Sequence, residues 1–159
     1  MSQRIDYFKQ SPQQSKKLLE FSEAVHGGSI EQSILDFVSI RASQLNGCAF
    51  CLDMHSKEAK LHGERELRLY HLPVWRESPL FNPRERAALA WAEILTKLPE
   101  AGVSDENFNS VRAVFSEKEL SDLTFAVMTI NTWNRANIAF RTMPGSADAA
   151  FGLDKANLH

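Results

Sequence analysis

The sequence predicts an all-α protein, a single domain of six or seven helices. Serine or asparagine, followed closely by proline, glutamate or glutamine, recurs along the chain as it does at helix starts. Between these positions apolar residues recur every three or four residues, and no segment shows the alternation of a half-buried strand. A chain of 159 residues, 43% of them hydrophobic, can bury one substantial core.

Four helices are predicted in the first half of the chain. Ser11 and the proline after it start an N-terminal helix, and Ser29, with Gln32 as its capping-box partner, is expected to start the second. Asn46-Gly47 ends the second helix, so the third is expected to begin around Cys48. The four predicted helices cover residues 11–26, 29–46, 48–62 and 64–70.

Three further helices are predicted in the second half, starting at the capping residues Asn82, Ser104 and Ser116. The last of them runs to about Arg141 and is apolar nearly all round over residues 120–130. A helix of this kind is buried on more than one side, in the core or between the subunits of a homo-oligomer. A loose C-terminal tail is expected at residues 143–159.

Charge and hydropathy exclude several kinds of partner. The 18 basic and 20 acidic residues give a net charge of −2, so nothing attracts the chain to nucleic acid or to an anionic membrane. No apolar run approaches the roughly 20 residues of a membrane span. The N-terminus lacks the apolar stretch of a signal peptide, and we therefore expect a cytoplasmic protein.

The two cysteines of the chain, Cys48 and Cys51, form a C-x-x-C motif at the predicted start of a helix. At this spacing their Cβ atoms lie about 5–6 Å apart on one helix face, close enough to make or break a disulfide. The helix N-terminus stabilises thiolates there. Because a reducing compartment disfavours structural disulfides, the motif predicts catalytic or metal-binding chemistry.

Two further side chains are candidates for proton transfer. His55 lies one turn beyond Cys51 and two turns beyond Cys48, so the spacing predicts His55 as the base for Cys51, with Cys48 as its disulfide partner. Asp36 could approach the thiols and join a relay if the helices before and after Gly47 pack antiparallel. By periodicity alone, an aspartate between apolar residues on a helix, such as Asp36, more often faces solvent.

The motif has other interpretations. Two cysteines at helical spacing can be plain core residues. Cys48, Cys51 and His55 could be three zinc ligands, but a structural zinc site needs a fourth, and no other histidine stands at a ligand spacing. Leu52 occupies the position where a c-type haem needs histidine. We therefore expect no metal, haem or flavin.

The last long helix also carries polar residues in an otherwise apolar sequence: Asn131, Asn134, Arg135 and Asn137. Two interpretations remain open for them. They satisfy buried polar groups at an interface, or they line a pocket.

The segment 36–55 contains C-x-x-C-x-x-x-H, preceded by Arg41-x-Ser43-x-x-Asn46. Together with residues 75–78, 84–90 and 134–135, it resembles the AhpD-like alkylhydroperoxidases of the carboxymuconolactone decarboxylase family. The likeness covers roughly residues 35–141. It implies an all-α fold and assembly into a homo-trimer or homo-hexamer. It also implies reduction of a hydroperoxide by a cysteine pair, which an external dithiol of protein or lipoyl type restores without a cofactor.

Carried over by position, the resemblance implies that Cys51 attacks the peroxide, that Cys48 resolves the product and that His55 is the relay histidine. The family's relay glutamate falls on Asp36, and the histidine that the best-studied type carries before the second cysteine is Phe50 here. The expected function is a thiol-dependent alkyl hydroperoxide reductase in antioxidant defence. The alternatives are a carboxymuconolactone-decarboxylase-type enzyme, which has no need of a C-x-x-C motif, and a thiol sensor that turns over no substrate.

Overall fold

The computed structural model describes residues 2–158 and contains no strand in that range. Its α-helices are α1, Tyr7–Gln10; α2, Pro12–His26; α3, Gln32–Asn46; α4, Ala49–Leu61; α5, Glu66–His71; α6, Pro83–Thr96; α7, Asp105–Arg112; α8, Glu117–Phe140; and α9, Asp148–Phe151. Short 3-10 helices follow α5 and α9, at Leu72–Val74 and Leu153–Ala156. The prediction of an all-α fold is confirmed.

Of the five predicted serine and asparagine caps, Ser11, Ser29, Asn82, Ser104 and Ser116, three make a side-chain hydrogen bond at a helix start. Asn82 and Ser116 each form a complete capping box, and Ser104 accepts the backbone N–H of Asn107. Ser11 stands at the cap position of α2 but makes no side-chain hydrogen bond there. These boundaries follow from local sequence because both partners of each cap lie within three residues of one another.

The predicted helix start at Ser29 is wrong. Helix α3 begins at Gln32, and Glu31 occupies its cap position without a side-chain hydrogen bond. Ser29 instead donates its backbone N–H and its hydroxyl to the carboxylate of Asp122 on α8, at 2.8 and 2.7 Å. Asp122, 93 residues away, has replaced the expected local partner Gln32. Its hydrogen bonds fix the segment before α3 against α8.

Helix α3 is central to the molecule, because it packs against α4, α6 and α8. Val38 and Ala42, on its inner faces, are fully buried. The main apolar cluster joins α3, α6, α7 and α8 around Phe115 and Leu123. A smaller cluster contains Ala42, Cys48, Cys51 and Ile130. The two cysteines are therefore part of the core where α3, α4 and α8 meet.

Helix α8 divides its apolar residues between the core and the surface. Leu123 and Val127 are buried, whereas Phe125 is 44% and Met128 50% exposed. Within residues 2–158, no helix combines the length and the apolar character needed to cross a bilayer. The apolar residues of α8 therefore form two faces of the helix. One face packs in the core of this chain, and the other lies at its surface.

The C-terminal segment folds back onto α4, contrary to the expectation of a loose tail. Leu153 and Ala156 are buried, and the 3-10 helix that carries them packs against α4. Lys57 of α4 donates to the carboxylate of Asp148 at 2.7 Å. The contacts lie about 90 residues apart in sequence, so the local pattern of residues 143–158 does not reveal them.

Candidate thiol site

The two cysteines lie at the junction of α3 and α4. Gly47 ends α3 in the left-handed conformation, with φ at 71°, and so turns the chain toward α4. Cys48 follows in an extended conformation as the cap residue of α4, and Cys51 lies in the first turn. Both are free thiols with 2% of their surface exposed. Helix α4 therefore begins at the C-x-x-C motif, as the sequence predicts.

The sulfur of Cys48 caps α4, where serine or aspartate is more usual. Its Sγ accepts the backbone N–H of Cys51 at 3.3 Å. Interaction with the Cys51 side chain, this backbone hydrogen bond and the charge of His55 outweigh burial and lower the pKa of Cys48 to about 7. Interaction with Cys48 and burial raise the pKa of Cys51. In the reduced pair, the hydrogen bond at the helix N-terminus therefore favours Cys48 as the thiolate.

The hydrogen bonding of the reduced pair favours the opposite order of acidity from the one that the residue spacing predicts. The four-residue spacing predicts that His55 makes Cys51 the more acidic thiol, but its charge lowers the pKa of Cys48. Among the described residues, no hydrogen bond joins His55 to either sulfur. The hydrogen bond that Cys48 accepts at the helix N-terminus therefore affects the acidity of the pair more than the sequence spacing between Cys51 and His55 does.

The imidazole of His55 is oriented by Glu58, a residue that the sequence analysis did not single out. His55 Nδ1 lies 2.6 Å from Glu58 Oε2, and both side chains are mostly buried. Burial tends to raise the pKa of Glu58, but the hydrogen bond from His55 and the charges of three histidines hold it below its ordinary value. The carboxylate fixes Nδ1 and leaves Nε2 for proton transfer. The His-x-x-Glu spacing was the signal for this pair.

Asp36 does not lie at the thiol site. Its carboxylate is 2.9 Å from His62 Nδ1 and accepts a hydrogen bond from Gln32, so it is buried at the far end of the α3–α4 pair. Ten residues of helix separate it from Asn46, a rise of about 15 Å. The two helices do pack antiparallel, but that arrangement places the end of α4, rather than its beginning, beside Asp36. The proposed role of Asp36 in a relay to the thiols is therefore wrong.

Amides of α8 line the inner side of the cysteine pair. Asn137 Nδ2 donates to Cys51 Sγ at 3.4 Å. Asn134 is fully buried, donates to Ser43 Oγ at 3.0 Å and accepts from Asn46 at 2.9 Å. The unusual polarity of this helix thus has hydrogen-bond partners on α3 and α4 of the same chain.

Tyr7 is a second site residue that no sequence motif identifies. It lies in α1, before the first predicted helix, and its hydroxyl donates to Asn137 Oδ1 at 3.1 Å. Burial, with the charges of Cys51 and Cys48, raises the pKa of Tyr7 to about 12, so the phenol stays protonated. Only the tertiary fold brings residue 7 beside residue 137.

This arrangement can form and break a disulfide. Two free thiols stand one helical turn apart, and the lowered pKa of Cys48 favours the thiolate that exchange chemistry requires. Among residues 2–158, no group of three or more histidine, cysteine, aspartate or glutamate side chains is placed to hold a metal ion.

Known proteins share both the sequence and the fold. The model of the carboxymuconolactone decarboxylase family matches residues 12–93. The uncharacterised protein YdfG of Bacillus subtilis is 39% identical over 139 residues, which are 87% of this chain and 95% of that protein.

Solved structures give the same result. A protein of unknown function from Agrobacterium tumefaciens, proposed to be the antioxidant defence protein AhpD, is 40% identical and superimposes with a TM-score of 0.86 over 90% of this chain and 98% of that chain. The debrominase Bmp8, at 18% identity, shares the fold alone, with a TM-score of 0.78 over 94% of this chain and 80% of that chain. On its sequence match, its relatives and its all-helical fold, the chain belongs to the carboxymuconolactone decarboxylase family and is one of its AhpD-like members.

Proposed function

We propose that this protein is a thiol-dependent hydroperoxide reductase in which Cys48 and Cys51 cycle through a disulfide. The observation that carries the proposal is the pair itself: two buried free thiols one helical turn apart at the start of α4, with the backbone N–H of Cys51 donating to Cys48 Sγ. Alkyl hydroperoxides are the substrate class, and an external dithiol of protein or lipoyl type restores the pair. The 40% identical relative that is proposed to be an antioxidant defence protein supports the same activity.

The proposed reaction starts from the Cys48 thiolate. The Cys48 thiolate attacks the terminal oxygen of the hydroperoxide, an S–O bond forms and the O–O bond breaks. The leaving alkoxide takes the proton of the Cys51 thiol, which gives an alcohol, a Cys48 sulfenic acid and a Cys51 thiolate. Cys51 then attacks the Cys48 sulfur, the S–O bond breaks, and the departing hydroxide takes a proton from His55, which regains it from solvent, and leaves as water. The external dithiol reduces the resulting disulfide by exchange and is itself oxidised.

Attack by Cys48 reverses the order that the resemblance implies, in which Cys51 attacks and Cys48 resolves. The hydrogen bonds of the reduced pair support attack by Cys48 in this chain, because the thiolate is the nucleophile. His55, oriented by Glu58, is proposed to exchange protons with the site through Nε2.

Two other functions are compatible with the fold. A carboxymuconolactone-decarboxylase-type enzyme would not need the cysteine pair, and a non-catalytic thiol sensor would be oxidised once without turnover. Steady consumption of cumene hydroperoxide with dithiothreitol as reductant is expected for the reductase. A single equivalent consumed would indicate the sensor, and no thiol oxidation would reject both thiol functions.

Two variants test the order of attack. Without reductant, Cys51→Ser should consume one equivalent of cumene hydroperoxide quickly and retain one added oxygen on Cys48, because no thiol resolves the sulfenic acid. Cys48→Ser should lose this fast oxidation. Stopped-flow kinetics and mass spectrometry measure both. The opposite pattern would assign the attack to Cys51, as in the resemblance.

A further inference from the structure

The side-chain amide of Asn137 lies between the hydroxyl of Tyr7 and the sulfur of Cys51. Its Nδ2 donates to Cys51 Sγ at 3.4 Å, and its Oδ1 accepts the Tyr7 hydroxyl at 3.1 Å. All three side chains are buried. A hydrogen-bonded line therefore runs from α1 through α8 to the second cysteine of the motif.

Tyr7 holds its place through contacts that do not involve the cysteines. Its ring stacks on Phe8, with centroids 4.7 Å apart, and tilts against Phe140 at 5.4 Å. The backbone before it is tied to the end of α8, because Arg4 donates its N–H to the carbonyl oxygen of Phe140 at 2.8 Å. The hydroxyl is thus set in position before any reaction at the thiols.

The direction of these hydrogen bonds matters for Cys51. Since the Tyr7 hydroxyl donates to the amide oxygen, the amide presents its N–H₂ group to the sulfur. A buried N–H donor is satisfied better by a thiolate than by a thiol, and a hydrogen bond to the amide oxygen polarises the donor further. The two hydrogen bonds, from Tyr7 to Asn137 and from Asn137 to Cys51, therefore favour the thiolate form of Cys51.

We propose that Asn137 and Tyr7 are positioning residues that hold the Cys51 sulfur and stabilise its thiolate when it attacks the oxidised Cys48. In that step the Cys51–Cys48 bond forms from the electron pair of the thiolate, and the Cys48 S–O bond breaks. The departing hydroxide takes a proton that His55 supplies from solvent and leaves as water, and no further oxidant is needed. The identity of this step rests on the proposed function, whereas the effect of the two residues on Cys51 does not.

The titratable groups around Cys51 come from two elements. Cys48 and His55 belong to α4 itself, and Tyr7 belongs to α1. Helices α8 and α3 contribute uncharged groups to the pair: Asn134, Asn137 and Ser43. The effect of Asn137 is therefore best measured in a Cys48→Ser background, where the strongest charged neighbour is absent.

The experiment measures the alkylation rate of Cys51 by iodoacetamide against pH in the Cys48→Ser protein. Asn137→Ala should move the midpoint upward by about one pH unit, since it removes a hydrogen bond to a charged group. Tyr7→Phe, which keeps the ring, should move it in the same direction by a smaller amount. Tyr70→Phe is the matched control, because Tyr70 is the other tyrosine and is 66% exposed; it should cause no shift.

The double variant separates this effect from a general loss of packing. Because Tyr7 acts through Asn137, Tyr7→Phe should add nothing to the shift in a protein that already carries Asn137→Ala. Additive shifts, or an unchanged midpoint in Tyr7→Phe, would overturn the proposal. The measurement requires no peroxide, so a protein without reductase activity could still show the shift. If Asn137→Ala does not fold, the Tyr7→Phe comparison alone decides.

Discussion

The acidity of Cys48 depends on neighbours that can be removed one at a time. Its pKa of about 7 lies below the ordinary value of a thiol near 8.5. The thiolate fraction rises with pH, so alkylation of Cys48 should rise through about pH 7 and level off above it. The charge of His55 contributes to this lowered value.

His55→Ala should therefore move the alkylation midpoint of Cys48 toward higher pH, because the thiolate loses a positive neighbour. The measurement uses the Cys51→Ser protein, in which Cys48 is the remaining cysteine. His71→Ala is a suitable control, since His71 is hydrogen-bonded to Ser78 in another part of the fold. Equal midpoints for both histidine variants would show that His55 does not act on the thiol.

Individual residues mark how far the sequence predicts this site. The C-x-x-C spacing and the preceding Asn46-Gly47 turn place the pair at a helix start, and the structure agrees. The relative acidity of the two thiols was not predictable, because it depends on the hydrogen bonds that each sulfur accepts in the folded chain. The position of Asp36 away from the thiols was not predictable either, because it depends on His62, its partner at the far end of α4.

Among the elements, the turn between α3 and α4 determines where the cysteines stand. Gly47 has φ at 71°, a conformation that costs an L-residue about 1–2 kcal/mol, and no atom lies within 4 Å of a Cβ added there. Gly47→Ala should therefore lower the free energy of unfolding by about that amount through backbone strain alone. Urea unfolding followed by circular dichroism measures it.

Gly27→Ala provides the comparison for this turn. Gly27 also ends a helix, but its φ is −81°, and an added Cβ would meet neighbours at an ordinary 3.6 Å. The substitution should leave the free energy of unfolding nearly unchanged. A loss as large as that of Gly47→Ala would mean that the left-handed conformation is not the cause.

Helix boundaries show the same division between local and distant causes. The caps at Asn82 and Ser116 were predictable because each partner lies three residues away. The start of α3 was not, because Asp122 of α8 takes the hydrogen bonds of Ser29. The packing of the C-terminal segment on α4 likewise depends on contacts with a helix about 90 residues earlier.

For the whole molecule, the surface face of α8 favours a homo-oligomer. Phe125 and Met128 are about half exposed, and Phe21 of α2 meets Phe125 edge to face, with ring centroids 6.0 Å apart. Exposed apolar side chains that lie next to one another commonly mark contact surfaces. Light scattering should give a multiple of the 18.0 kDa chain, and a trimer or hexamer is the form that the resemblance implies.

Charged substitutions test whether this face makes the contact. Met128→Glu should shift the scattering mass toward that of the monomer, because a carboxylate would be buried in the interface. Phe151→Glu places the same charge at another exposed apolar position, 57% exposed on α9, and should leave the mass unchanged. A monomeric parent protein at micromolar concentration would refute the assembly.

The cap that Cys48 provides to α4 has a consequence for the reduction potential of the pair. When the disulfide forms, the sulfur loses its charge, and the Cys51 N–H loses its charged acceptor at the helix N-terminus. The hydrogen bonds thus stabilise the dithiol form more than the disulfide form, which raises the reduction potential. Equilibration with glutathione buffers should give a value above about −300 mV, the upper limit typical of structural disulfides. A disulfide of that kind is readily reduced by a dithiol, as the proposed catalytic cycle requires.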